Sequence, residues 1–205
     1  HVLYGSGKTT LANVLTDARK FAEAEAEAKR GLEIVQAAAG RVHGKTADAV
    51  NGVGRILIMQ GKGKEAEEAF RETLAIRTEL NGPDAPPVAG AYLNLAVALR
   101  RQNRLEEAEE TYKAALRIWT AAFGPMHPDV AAVHNNLGVL YLDMERYADS
   151  KTETERSLAI NRTFMQPSDQ ALLETRGNLA EALAGLGDHQ AAETERRAII
   201  AAIEP

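Results

Sequence analysis

Apolar side chains recur along the chain with the period of an α-helix. They stand three and four positions apart in residues 93–99 and again in residues 108–119, and a polar break at Gln102 and Asn103 separates the two runs. Apolar residues at this spacing form one face of an amphipathic helix. Ala, Leu, Glu and Arg dominate the composition, and no alternation typical of strands occurs. The pattern therefore predicts two helices joined by a short polar turn.

The same pair of predicted helices returns every 42 residues along the chain. One position of the first helix is always aliphatic: Leu11, Val53, Leu95, Leu137 and Leu179. The next position is always small: Ala12, Gly54, Ala96, Gly138 and Ala180. A small residue also recurs in the second helix: Ala24, Ala66, Ala108, Ser150 and Ala192. A fixed period of this length is the signature of a solenoid.

Glycine marks three of the unit boundaries, at Gly40, Gly82 and Gly124. The predicted units are residues 1–40, 41–82, 83–124, 125–166 and 167–205. They form one repeat domain over 1–205, because each unit of a repeat array packs mainly on its neighbours. Prolines are expected to end helices and to occupy the first turns of the following ones: Pro83, Pro86, Pro87, Pro125, Pro128 and Pro167.

The columns of small residues predict where helices approach each other closely, since a small side chain admits the ridge of a neighbouring helix. We expect the corresponding residues to be buried between helices: Leu95, Ala96, Ala108, Leu116, Leu137, Gly138 and Leu158.

The fourth unit carries a family resemblance. Its motifs are His127-Pro128-Asp129-Val130, Asn135-Asn136-Leu137-Gly138, Tyr147-Ala148 and Leu158-Ala159-Ile160. They resemble a tetratricopeptide repeat of the long, kinesin-light-chain-like kind, and the resemblance extends over nearly the whole chain. It implies an all-α, right-handed solenoid of about five helical hairpins. It also implies a module that binds an extended peptide or a partner segment in a concave groove lined by the first helices.

Asparagines recur on the side of the first helices that the resemblance assigns to this groove. Asn94, Asn136 and Asn178 stand 42 residues apart, and Asn51 and Asn135 precede the same column by one position. An asparagine amide offers both donors and an acceptor, so it suits the backbone of an extended peptide. The alternative is that each amide ties its helix to the neighbouring unit. Since the first two units have Thr10 and Gly52 in this column, an asparagine clamp is expected in units three to five.

Arginines cluster near the predicted middle of the groove. Arg55, Arg100 and Arg101 fall in first helices, whereas Asp143, Glu174 and Glu181 lie toward the C-terminal end. A guanidinium fork suits a carboxylate, so these arginines predict a ligand with an acidic segment. The alternative is an ordinary solvated helix face.

The segment Tyr4–Thr10 competes with the repeat pattern, because Gly5-Ser6-Gly7-Lys8-Thr9 resembles the end of a phosphate-binding loop. The full motif requires a glycine where Val2 stands, and no strand precedes it. Nucleotide binding is therefore the remotest of the functional alternatives. As a helix, the segment is weakened by its glycines, and we expect its first turns to be irregular.

Charge and composition argue against several classes of function. A net charge of -5 and a pI near 5.6 disfavour a nucleic-acid binder, which normally carries a basic surface. Cysteine is absent, and no apolar run reaches the length of a membrane span. The five histidines form no metal-binding pattern, and His127 and His189 fall in predicted turns. We expect no catalytic, cofactor or metal site, no membrane partner and, by default, a cytoplasmic protein.

Acidic runs recur at the start of second helices, at residues 65–68 and 106–110, where they favour the helix dipole and are expected to face solvent. The final predicted helix keeps Ile199, Ile200 and Ile203 without a polar outer face, which predicts self-association or further repeats at that end. An alternative to a peptide-binding module is the sensor or scaffold region of a larger regulatory protein, such as an ATPase, whose catalytic part lies elsewhere.

Overall fold

The computed structural model describes residues 2–166 and 168–203, and every regular element in these ranges is an α-helix. The helices are α1 (Val2–Asp17), α2 (Phe21–Ala39), α3 (Gly44–Met59), α4 (Gly63–Asn81), α5 (Pro86–Arg101), α6 (Leu105–Phe123), α7 (Pro128–Asp143), α8 (Tyr147–Asn161), α9 (Gln170–Gly185) and α10 (His189–Ile203). The helix-ending role predicted for Pro167 lies outside the described residues. No helix in the described ranges is long and apolar enough to cross a membrane.

Successive helices form the five predicted hairpins, and the all-α repeat fold is confirmed. Within hairpins α1 packs on α2, α3 on α4, α7 on α8 and α9 on α10, while α2 also contacts α3, α4 contacts α5 and α8 contacts α9. The chain divides into two compact units, His1–Thr111 and Tyr112–Pro205, with the boundary inside α6. The single domain over 1–205 stays a prediction.

The turns repeat as regularly as the helices. Each turn within a hairpin has one residue in the left-handed region, with φ between 56° and 81°: Arg19, Gly61, Asn103, Glu145 and Gly187. The predicted boundary glycines Gly40, Gly82 and Gly124 also have positive φ, from 84° to 90°, which favours glycine because it has no Cβ. Pro86 and Pro128 begin α5 and α7 as predicted. His189, which was expected in a turn, is instead the first residue of α10.

Small residues set the distance between the helices of a hairpin. A Cβ atom on Gly54 would lie 2.6 Å from the Phe70 ring, and one on Gly138 would lie 2.5 Å from Thr154 Cγ2. Both contacts are too close for any side chain larger than hydrogen. The predicted core residues Leu95, Ala96, Ala108, Leu137, Gly138 and Leu158 are buried.

Leu116 is the exception among the predicted core residues, since it is only partly buried. It lines an open cavity of about 420 Å³ together with Val130 and Ile160. Side chains in this column thus reach the gap between neighbouring hairpins and not the interior of one hairpin.

The first helix is regular from Val2 onward, so the expectation of irregular first turns is wrong. Its glycines allow close contact with α2. A Cβ on Gly5 would lie 2.7 Å from Val35 Cγ2, and one on Gly31 would lie 2.9 Å from the Gly5 carbonyl oxygen. Packing of the two backbones therefore offsets the low helix propensity of glycine.

Candidate protein-binding face

The first three hairpins enclose a cavity of about 320 Å³ in the unit His1–Thr111. Side chains from the first helices α1, α3 and α5 form most of its wall: Asn13, Thr16, Asp17, Gly52, Arg55, Ile56, Ile58, Met59, Asn94 and Val97, with Phe70 from α4. Polar groups of both charges thus alternate with apolar surface. Of the predicted site residues, Arg55 and Asn94 share this cavity.

Two of the predicted asparagines in this unit bind each other. Asn94 Nδ2 donates to Asn51 Oδ1 at 2.8 Å, which joins α5 to α3. Both side chains are partly buried. The bond uses one of the two amide hydrogens of Asn94 and fixes the direction in which the amide points.

The same arrangement recurs in the unit Tyr112–Pro205. Asn178 Nδ2 donates to Asn135 Oδ1 at 3.0 Å and joins α9 to α7. Asn136 differs, because its Nδ2 donates to the Ala132 carbonyl of its own helix at 2.8 Å, and its Oδ1 accepts from the Tyr112 hydroxyl at 3.5 Å.

The asparagine pairs explain why the ladder is incomplete. A pair needs asparagine 43 positions earlier, and the position that would pair with Asn136 holds Leu93. Paired amides therefore recur in alternate hairpins. The structural alternative thus holds in part, although the partner of Asn94 and Asn178 is a side chain of the preceding hairpin and not its backbone.

The predicted arginines occupy different surroundings. Arg55 is exposed and lines the cavity beside Asn94 and Asp17. Arg100 and Arg101 lie in the last turn of α5, where a positive charge favours the helix C-terminus, and neither is part of the wall of this cavity. Repeat spacing could have found one missed wall residue, since Asn13 stands 42 positions before Arg55.

The acidic side chains predicted toward the C-terminal end are dispersed. Glu174 lines a smaller cavity of about 150 Å³ with Asn135 and Asn136. Its Oε1 accepts from Gln170 Nε2 at 2.7 Å. Asp143 and Glu181 are exposed and stand outside the wall of this cavity.

The phosphate-loop-like segment is helical throughout. The Thr9 and Thr10 hydroxyls donate to carbonyls one turn earlier, those of Gly5 and Ser6. Lys8 Nζ lies 2.6 Å from Glu27 Oε2 of α2, and the hydrogen bond from this ammonium lowers the pKa of the Glu27 carboxyl. The backbone N–H groups of a continuous helix serve its own carbonyls, so this segment lacks the exposed amides of a phosphate cradle.

One acidic run has a role that the sequence pattern missed. Glu67 was expected to face solvent, yet it is buried and accepts from Arg71, Gln102 and Arg104 at 2.6 to 2.8 Å. Burial alone would raise the pKa of Glu67, but these hydrogen bonds outweigh burial and lower it to about 2. The cluster joins α4 to the turn that follows α5.

An equivalent cluster surrounds Glu25, which binds Lys29 at 2.6 Å and Lys62 at 2.8 Å. These hydrogen bonds lower the pKa of Glu25 to about 2. The signal was present in the sequence, because Glu25 and Glu67 are one period apart, as are Lys62 and Arg104.

The histidines have structural contacts. Nδ1 of His43 accepts from the Lys45 amide, and Nδ1 of His127 accepts from the Asp129 amide, so each caps a first helix. His134 Nδ1 lies 2.5 Å from Glu153 Oε2 within hairpin α7–α8. Among residues 2–166 and 168–203, no group of three or more His, Asp or Glu side chains could hold a metal ion.

Solved structures similar to this chain extend over almost its full length. BtubC (BKLC) from P. vanneervenii is 28% identical, with a TM-score of 0.80 over 97% of this chain and 81% of that chain. A putative kinesin light chain from Podosopora anserina with nearly identical TPR-like repeats is 20% identical, with a TM-score of 0.78 over 98% and 96%. The apo form of RapI is 14% identical, with a TM-score of 0.73 over 95% of this chain and 52% of that one.

No curated protein sequence matches the chain. The model of the tetratricopeptide repeat family matches residues 6–86 and 87–163, which together exceed half of the chain. These matches agree with the five hairpins and with the wall of first helices. The chain belongs to the tetratricopeptide repeat family, whose repeats serve as scaffolds for protein–protein interaction.

Proposed function

We propose that the chain binds an extended segment of a partner protein in the cavity between α1, α3 and α5. The observation that carries this proposal is that the cavity places Arg55 and Asn94 beside Ile56, Met59 and Val97. Binding sites combine apolar walls with a few fixed polar groups, and this wall has both. A volume of about 320 Å³ suits side chains of an extended peptide.

Each part of the wall has its own task in this proposal. The Asn94 amide, oriented by Asn51, pairs with the peptide backbone. Arg55 binds an acidic side chain of the ligand, and the methyl and methylene groups of Met59 and Val97 cover an apolar one. Since Met59 is exposed, covering it also removes apolar surface from water, which favours binding.

The predicted contributions of Asn135, Asn136 and Asn178 belong to a secondary part of the proposal. The small cavity beside Glu174 has room for little more than one side chain, at about 150 Å³. An acidic rim there favours a basic or amide side chain of a ligand. The regulatory-scaffold alternative stays a prediction and uses the same surfaces.

Displayed random peptides selected on the purified chain provide the test. The dissociation constant of a selected peptide is then measured for wild type, Asn94→Ala and Arg55→Ala at low and high salt. Losing an amide that pairs with a buried peptide group should weaken binding by about 1 to 3 kcal/mol. The loss at Arg55 should shrink as salt rises, because salt screens exposed charges, whereas the loss at Asn94 should persist.

Arg41→Ala is the matched control, since Arg41 is exposed in the same unit but stands away from the cavity wall. Its affinity should equal that of wild type. Arg100→Ala and Asn136→Ala test the remaining predicted contacts in the same assay. Selected peptides whose affinity is unchanged in both Asn94→Ala and Arg55→Ala would place binding on another surface.

A further inference from the structure

The outer face of α1 exposes side chains at positions that are buried in all the other first helices. Tyr4 is 63% exposed, whereas the equivalent residues are at most 3% exposed: Thr46, Val88, Val130 and Leu172. Val14 is 59% exposed, and its equivalents Ile56, Ala98, Leu140 and Ala182 are buried. Leu11 differs from its column in the same way. Tyr4, Leu11 and Val14 lie on one side of the helix by their spacing, and we call them the α1 face.

The last helix has a matching exposed face. Ile200 and Ile203 of α10 are both more than half exposed. Ile203 stands in the column of Val35 and Trp119, which are buried. Glu193 is exposed on the same side, seven positions before Ile200. We call Glu193, Ile200 and Ile203 the α10 face.

The junction between α2 and α3 shows how two such faces fit together. Leu32 of α2 and Val53 of α3 line one cavity, at whose edge Glu25 of α2 meets Lys62 at 2.8 Å. Leu32 stands in the column of Ile200, and Val53 stands in the column of Leu11. The α1 and α10 faces therefore carry the two halves of an apolar contact that the molecule already makes internally.

The charges at the two ends also match this junction. Glu25 holds Lys29 of its own helix and then accepts Lys62 from the next hairpin. Glu193 stands in the column of Glu25 and holds Arg197 of its own helix at 2.9 Å, just as Glu25 holds Lys29. Lys20 stands in the column of Lys62 and has nearly the same backbone, with φ of −87° and ψ of 59° against −85° and 67°.

From these equivalences we infer that the α10 face of one copy of this chain docks on the α1 face of a second copy, antiparallel, as α2 docks on α3. Ile200 then covers Leu11, and Glu193 accepts the ammonium of Lys20. The contact joins two different surfaces, so it is heterologous and each copy has one of each. It is independent of the peptide cavity proposed above, since the α1 and α10 faces share no residue with its wall.

The contact should be weaker than the internal junctions. Gln60 Nε2 reinforces the α2–α3 junction by donating to the Phe21 carbonyl at 3.0 Å, and Ala18 stands at the equivalent position beside Lys20. The linkage through the chain that holds α2 beside α3 is also absent between copies. Self-association is therefore expected to depend on concentration.

Sedimentation equilibrium of the 205-residue chain from low micromolar to near-millimolar concentration tests the inference. The average mass of wild type should rise with concentration. Leu11→Asp and Ile200→Asp should each raise the dissociation constant at least about tenfold, because a carboxylate in an apolar contact costs more than 1.4 kcal/mol. Both positions are exposed within one copy, and circular dichroism and melting temperature verify that the variants fold.

Leu80→Asp is the matched control, because Leu80 is 43% exposed and Leu11 is 42% exposed, but Leu80 lies on neither face. It should associate like wild type. Mixing is the sharper experiment. The Leu11→Asp copy retains an intact α10 face and the Ile200→Asp copy retains an intact α1 face, so the mixture should form a dimer that neither variant forms alone.

Three results would overturn the inference. The first is a wild-type chain that stays monomeric over the whole range. The second is an α1-face or α10-face variant that associates as strongly as Leu80→Asp. The third is a mixture of the two variants that remains monomeric, since that would mean that the two faces do not bind each other.

Discussion

The hairpins α3–α4 and α9–α10 place different chemistry at equivalent positions. Val50 and Ala69 face each other's columns in the first hairpin, while Arg176 and Glu195 occupy those positions in the second and form an ion pair at 2.5 Å. The charged version is the commoner one in this chain, since the same 19-residue spacing joins two further pairs: Lys8–Glu27 and His134–Glu153.

The difference shows which properties the repeat constrains. Position and volume are kept between the two hairpins, whereas polarity is exchanged in both partners together. A partly buried ion pair gains Coulomb energy but loses hydration, so an apolar pair of suitable size can replace it at little cost. Single changes that leave one partner alone are a different matter, because they strand a charge.

The two hairpins also use glycine differently, and this gives the largest expected effect. Gly54 of α3 lies against Phe70, whereas a Cβ on Gly177 of α9 would meet nothing within 4 Å. Gly54→Leu should therefore destabilise the chain by about 3 kcal/mol or more, through overpacking. Gly177→Ala should stabilise it by up to about 1 kcal/mol, because alanine favours the helix. Urea unfolding followed by circular dichroism measures both, and a Gly54→Leu variant as stable as wild type would contradict the close packing.

A second contrast concerns the acidic residues of α4 and α10. The folded pKa of Glu67 is about 2, below the model value of 4.5, so the folded state favours the carboxylate. The resulting stability is present above about pH 5 and is lost as pH falls toward 2. Glu67→Gln should cost about 1 to 3 kcal/mol at pH 7 and should flatten the stability profile between pH 5 and pH 2.

Glu193→Gln serves as the control for this profile, because Glu193 is exposed on α10 and binds only Arg197 of its own helix. Exposed pairs of this kind contribute about 0.3 to 0.5 kcal/mol. The unfolding free energy of each variant is measured by urea titration at several pH values on dilute protein. A Glu67→Gln profile parallel to that of wild type would show that the acid sensitivity arises elsewhere.

The sequence predicted the hairpins because size and periodicity are properties of single columns. Gly54 and Leu95 are examples, since each is recognisable from its spacing alone. The contacts of Asn94 and Glu67 depend on two columns in neighbouring hairpins, and a single column does not show which partner lies opposite. Glu67 was thus expected in solvent, and the pairing of Asn94 with Asn51 was missed. The regular first turns of α1 were missed for the same reason, because Gly31 in α2 supplies the partner for Gly5.

The smallest expected effect tests the opening comparison directly, by giving α9–α10 the side chains of α3–α4. Glu195→Ala alone leaves Arg176, whose side chain is mostly buried, without its carboxylate and should cost about 1 to 2 kcal/mol. Adding Arg176→Val should restore the unfolding free energy to within about 1 kcal/mol of wild type, because the pair then matches Val50 and Ala69. The double-mutant cycle measures the coupling between the two positions. If the double variant is less stable than Glu195→Ala alone, the two hairpins are not interchangeable at these positions, and the ion pair has a structural role that an apolar pair does not provide.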